Sequence, residues 1–215
     1  MVDVDQIQEL LSTHFKLESF GSKGDGSYHI DATSAKVSVQ GSVTLRSLKV
    51  SKLPVKFHKV MGHFKCQNNT LTTLAGAPDY VGSWFECSNN RLTSLAHGPQ
   101  HVGGSYVATS NLLPNLLGAP TKVGMSFFCR NNPLISLTGA PEQIAIDKDF
   151  VHKFECDYHA QLPLLRLLNY EVVSLLKAPR PVNVILKRYL GQGKQGAIKC
   201  AAELVKAGYK DNAKW

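Results

Sequence analysis

The sequence predicts an α+β protein, in which a solenoid of short repeated units carries a parallel β-ribbon between an N-terminal helix and hairpin cap and a C-terminal helical domain. Three observations predict it. The first is a period of 21 residues. Leu71, Leu92, Leu113 and Leu134 share one register, and Leu74, Leu95, Leu116 and Leu137 share another. The second is that unlike residue types keep the same step: Pro78, Pro99, Pro120 and Pro141; Val81, Val102, Val123 and Ile144; Phe85, Tyr106 and Phe127; Asn69, Asn90, Asn111 and Asn132. The third is that the period is lost after Ile144 and replaced from Leu162 onward by helix-like apolar spacing. These changes divide the chain into a cap at 1–36, a solenoid at 37–158 and a basic helical domain at 159–215.

The elements follow in order. Val4, Ile7, Leu10, Leu11 and Phe15 recur at helical spacing behind Asp3 or Asp5, either of which can cap a short N-terminal helix. Gly21, Gly24 and Gly26 around Asp25 then supply turn chemistry, and Tyr28 and Ile30 alternate with polar neighbours as one arm of a hairpin would. Stepping back by 21 maps Val60, Gly62, Phe64 and Cys66 onto Val39, Gly41, Val43 and Leu45, so five strand-bearing units are expected from Val37. Phe150 and 154–158 read as a degraded terminal unit, which a solenoid needs where it meets water. Leu162 to Leu168 and Val172 to Leu176 read as one or two short helices, interrupted by Pro179 and Pro181. Helices over 182–190 and 195–207 follow, separated by the glycine-rich turn 191–196.

Within one unit, period-two alternation at Phe85 and Cys87 makes a strand, and parallel stacking sets neighbouring strands about 4.8 Å apart. The asparagine must turn the chain out of that strand, and a buried amide there can satisfy the turning backbone and its neighbour's. The asparagine column is therefore expected to be structural. Cys66, Cys87 and Cys129 fill one slot that Ala108 fills in the remaining unit, so these cysteines read as small buried hydrophobes rather than as metal or redox groups.

The order aromatic, x, Cys, x, x, Asn, x, Leu, x, x, Leu resembles the leucine-rich repeat, with Phe85 and Cys87 at inner strand positions, Asn90 at the asparagine and Leu92 after it. The 21-residue period with its Gly-Ala-Pro element is similar to the short repeats of bacterial effectors. The Cys-Asn-Asn variant is most similar to phage-encoded leucine-rich-repeat proteins. The resemblance covers 39–146 and implies a leucine-rich-repeat solenoid and a protein-binding role in a bacterial cytoplasm.

By alternation, the residues facing away from the core are Ser42, Thr44 and Arg46; His63, Lys65 and Gln67; Trp84, Glu86 and Ser88; Ser105, Val107 and Thr109; and Ser126, Phe128 and Arg130. Aromatic and charged side chains side by side suit protein recognition, so His63, Lys65, Trp84, Glu86, Phe128 and Arg130 are the expected contacts, with Trp84 and Phe128 foremost. His63 reads as a solvated histidine rather than a ligand.

The net charge of +8 is unevenly placed. Residues 161–215 hold ten Lys or Arg against Glu171, Glu203 and Asp211, which leaves the rest of the chain near neutral. Lys187, Arg188, Lys194, Lys199, Lys206 and Lys210 form the alternative expectation, a nucleic-acid contact through phosphate neutralisation. A structural or assembly subunit is a third expectation.

Signals for catalysis are weak. The glycine turn at 191–196 matches G-x-G-x-x-G but follows a helical stretch and lacks a βαβ unit, so no dinucleotide site is expected. A turn at a helix start beside Lys194 could hold one phosphate of a larger anion. Effectors with similar repeats can carry a ligase cysteine in a Cys-x-Asp setting, whereas Cys156 is followed at once by Asp157 and has no activating base. His152 and His159 lie near Cys156 without a second close cysteine, so no metal is expected. The expectation is a non-enzymatic cytoplasmic protein with no cofactor and no membrane segment.

Overall fold

The protein, seen in a computed structural model that describes residues 4–19, 26–45, 49–144 and 152–215, is a β-solenoid of six coils with helices at both ends. Helix α1 (Val4–His14) carries Asp5 in its first turn and sets Leu11 into the core. Asp3, the glycine turn around Asp25, Arg46 and Phe150 fall outside the described residues. Strand β1 (Phe15–Glu18) follows directly, and the predicted hairpin forms from β2 (Tyr28–Ile30) and β3 (Lys36–Val39), paired antiparallel. Next comes β4 (Ser42–Leu45), against which β1 also runs antiparallel, with Phe15 opposite Leu45.

Each later coil contributes two strands, where alternation in the sequence showed one. The pairs are β5 (Lys56–Val60) with β6 (Phe64–Lys65), β7 (Tyr80–Val81) with β8 (Phe85–Glu86), β9 (His101–Val102) with β10 (Tyr106–Val107), β11 (Lys122–Val123) with β12 (Phe127–Phe128), and β13 (Gln143–Ile144) with β14 (Phe154–Asp157). The even-numbered members from β4 to β14 stack in parallel in a first sheet. The odd-numbered ones from β3 to β13 stack in parallel in a second. At the N-terminal end each parallel stack is followed by one short antiparallel strand, β1 on the first sheet and β2 on the second.

The core is a set of columns, one residue per coil. Phe64, Phe85, Tyr106, Phe127 and Phe154 form an aromatic spine inside the first sheet, with successive ring centroids 4.9–5.8 Å apart. Phe57 and Tyr170 extend it at the two ends. Cys66, Cys87, Ala108, Cys129 and Cys156 line up beside it, all fully buried, and Val60, Val81, Val102 and Val123 do the same beneath the second sheet. Burial pushes the thiols of Cys66, Cys87 and Cys129 well up, so they are inert packing groups.

The asparagine column is structural. Asn111 Nδ2 donates to Cys87 O of the coil before (3.0 Å) and to Ala108 O of its own (3.3 Å), while its Oδ1 accepts from the Leu92 N–H (3.1 Å). Asn90 and Asn132 repeat the pattern. The residue before each asparagine of the column, Asn69 included, adopts positive φ: Asn68, Asn89, Ser110 and Asn131. Asparagine tolerates that left-handed turn better than most side chains, which accounts for the doubled Asn.

At the C-terminal end the structure departs from the helical reading of Val172 to Leu176. Those residues form β15 (Val173–Leu176), parallel to β14 and the last strand of the first sheet. A single 3₁₀ helix over Leu165–Asn169 precedes it. Tyr170 stacks on Phe154 and its hydroxyl donates to Pro141 O (2.5 Å), while Arg166 donates to Ala140 O (3.3 Å), so this segment closes the end of the solenoid. Helix α2 (Arg180–Tyr189), with Pro181 in its first turn, and helix α3 (Gly193–Lys206) then pack on each other. Among the described residues no helix is long and apolar enough to cross a membrane.

Candidate binding faces

Two columns on the outward side of the first sheet have different roles. The central row runs Lys16, Thr44, Lys65, Glu86, Val107, Phe128, Glu155 and Ser174, set by the strand register. These side chains project from the sheet. Lys65, Glu86, Val107 and Phe128 are half-buried, and Arg130, two residues beyond Phe128, is exposed.

The second column, Ser42, His63, Trp84, Ser105 and Ser126, is partly part of the scaffold. Ser42 Oγ accepts the His63 N–H (3.0 Å), His63 Nδ1 accepts the Trp84 N–H (3.3 Å), and Ser105 Oγ accepts the Ser126 N–H (3.3 Å). The side chain of one coil thus satisfies the backbone of the next. His63 is half-buried and acts as an acceptor rather than being the solvated residue expected; burial, followed by the Lys65 charge, holds its pKa below the ordinary value. A serine at an outward position gives no sequence sign of this role.

Trp84 is the exception in that column. Its indole lies over Gly104 of the following coil, where a Cβ would sit 2.5 Å from Trp84 Cδ1, and its ring is 5.6 Å from that of His63. The support holds the ring in place and leaves it 44% exposed.

Phe128 and Arg130 are less free. Lys153 Nζ sits 5.5 Å from the centroid of the Phe128 ring. Lys153 also reaches Glu155 (2.7 Å), and Arg130 approaches the same carboxylate at 3.7 Å. Glu155 is only 6% exposed, so two cations hold one buried charge and Phe128 lies under one of them. Sequence reasoning missed Lys153 and Glu155 because the step from Phe127 to Phe154 is 27 residues rather than 21. Across the face, Lys65 and Glu86 lie on adjacent strands β6 and β8 and His63 and Trp84 immediately precede them, whereas Phe128 and Arg130 lie beyond β10 in a separate group.

The second sheet has an outward row that the sequence analysis did not single out: Lys59, Tyr80, His101, Lys122 and Gln143. Tyr80 and His101 stack at 4.8 Å, and Lys59 Nζ lies 4.6 Å above the Tyr80 ring. Asp79 joins Lys36 (3.0 Å) and His58 (3.2 Å) beside it. The only signal in the sequence is position, one residue before each core valine.

The basic residues of the C-terminal domain differ in their surroundings. Arg188 is held by Glu203 at 2.7 and 2.8 Å, and Tyr189 donates to the same carboxylate. On α3, Lys199 and Lys206 share a flank with Glu203, whereas Lys194 lies on the opposite flank. Lys187, at the end of α2, and Lys210, beyond α3, are exposed. The glycine turn forms the entry to α3, with Gly191 and Gly193 at φ of 70° and 62°, and helix α2 comes directly before it.

Cys156 points into the core, and His159 Nδ1 accepts the Gln161 N–H. Among the described residues no group of three or more His, Cys, Asp or Glu is placed to hold a metal ion. Compared with known proteins, the chain matches no family model, no curated protein and no solved structure.

Proposed function

We propose that this chain is a non-enzymatic scaffold of the leucine-rich-repeat type, phage-encoded like the proteins its repeats resemble, which docks a protein of the phage or its bacterial host on the outer face of the first sheet. The observation that carries this is Trp84: a large aromatic ring, 44% exposed and fixed on a rigid sheet between His63 and Gly104. A ring held in place before binding loses little freedom on docking, and tryptophan flanked by charged residues is the usual make-up of an interaction hot spot. Lys65 and Glu86, register partners on neighbouring strands, supply charges of both signs beside it. The C-terminal cations, spread over two flanks of α3 and partly neutralised by Glu203, support the nucleic-acid alternative less well.

The test is capture from the native host with the protein immobilised, comparing the unaltered chain with Trp84→Ala. Loss of a specific protein from the captured set, with the thermal melt unchanged, is the expected result. Capture that survives Trp84→Ala but is lost on adding salt or nuclease would overturn this reading in favour of the nucleic-acid one.

A further inference from the structure

The C-terminal domain contains a cavity that the docking face does not use. It has a volume of about 620 Å³ and lies between the 3₁₀ helix Leu165–Asn169, α3 and the chain at Ala213 and Trp215. That volume is within the range of small-molecule sites. Buried Leu165 and Leu168 line one side. On α3, Ala197 and Ala201 line it one helical turn apart, and side chains this small leave the space open.

Two of its wall residues are unusual. Ile198 and Trp215 are 65% and 64% exposed, the highest values among the large apolar side chains described, and both border this one cavity. Chance exposure is normally scattered, whereas paired exposure around a concavity marks a surface that a ligand covers. Lys194 is the one charged side chain among the described lining residues and makes no ion pair among the described residues. It lies in the first turn of α3, the positive end of the helix. Gly193 leaves this end of the cavity open, with nothing within 4 Å of where a Cβ would be.

We infer that this cavity binds an apolar carboxylate, its hydrocarbon body covering Ala197 and Ala201 between Ile198 and Trp215 and its carboxylate meeting the Lys194 ammonium. An apolar wall with one cation at one end is complementary to a molecule with one anionic end. Asn169, also in the lining, adds an amide that can donate a hydrogen bond to a bound ligand. The inference does not depend on the docking proposal, since Trp84 and this cavity lie on different parts of the chain.

The chain has two tryptophans, so in a Trp84→Phe background the emission of Trp215 reports the cavity alone. Titration with decanoate should give a saturable blue shift, and decanol, with a similar tail and no charge, should bind roughly tenfold more weakly. Lys194→Gln should bring decanoate down to the level of decanol. Ala201→Phe, which fills the cavity, should abolish both while Lys194→Gln serves as the variant that leaves packing untouched. An absence of saturable binding by decanoate overturns the assignment, as does unchanged affinity in Lys194→Gln. Tighter binding of uridine monophosphate or of an apolar peptide C-terminus than of decanoate also overturns it, in favour of those ligands.

Discussion

Two polar side chains show how single residues hold the coils together. Asn111 satisfies a backbone N–H and two carbonyls on two coils, all inside the protein. Replacing it with Ala leaves the Leu92 N–H without a partner, while Cys87 O and Ala108 O keep the amides of Asn90 and Asn132, so the loss should be roughly 1–3 kcal/mol. A shift of the urea midpoint with an unchanged slope would register that loss; a change within error would mean that water replaces the amide. His63 makes a comparable bridge with a group that titrates. Its Nδ1 accepts the Trp84 N–H only when unprotonated, and its pKa in the fold lies below the ordinary 6.5. As pH falls the unfolded chain takes up the proton first, so the stability present above pH 6.5 is lost below it until the folded ring also protonates. His63→Gln keeps an acceptor but does not titrate. Denaturation midpoints of the two proteins from pH 8 to 5 should converge or cross as the wild type weakens, and parallel curves would count against the bridge.

At the scale of elements, what the sequence revealed depended on how many positions recorded each element. The first sheet was legible because its central coils carry an aromatic and a Cys or Ala at alternate positions, followed by Asn and Leu at fixed offsets, as from Phe64, Phe85, Tyr106 and Phe127, so many residues agree on one register. In the second sheet most coils bury a single valine per strand, as at Tyr80–Val81, and one buried residue cannot show alternation. β15 was hidden for a different reason. Val172, Val173, Leu175 and Leu176 form a short apolar run, which periodicity alone cannot assign to strand or helix, and its pairing with β14 decides the matter. For the docking face, alternation placed Trp84 outward correctly, but it could not show that His63 supports the backbone or that Lys153 lies over Phe128. Those facts depend on the neighbouring coil, and for Lys153 that coil lies past a 27-residue step.

At the scale of the whole molecule, each coil buries its faces against two neighbours, so the solenoid is a stack whose length is adjustable but whose step is not. The spine, the cysteine slot, the asparagine column and the valine column all advance by 21 residues through the central coils. Deleting 105–125 removes 21 residues and joins Gly104 to Ser126, so Phe127 stacks on Phe85, Cys129 follows Cys87, and Gly104 still lies beneath Trp84. The shortened chain should fold cooperatively, with a smaller denaturant slope because less surface is exposed on unfolding. Deleting 106–125, one residue fewer, moves every later inward residue in the first sheet to the outward side where it meets the earlier coils, because the side-chain period of a strand is two. That chain should lose its cooperative transition. Circular dichroism through a urea titration separates the two outcomes. If both deletions folded equally well, the columns would not be what sets the register, and the rigid face on which Trp84 stands would lose its structural basis.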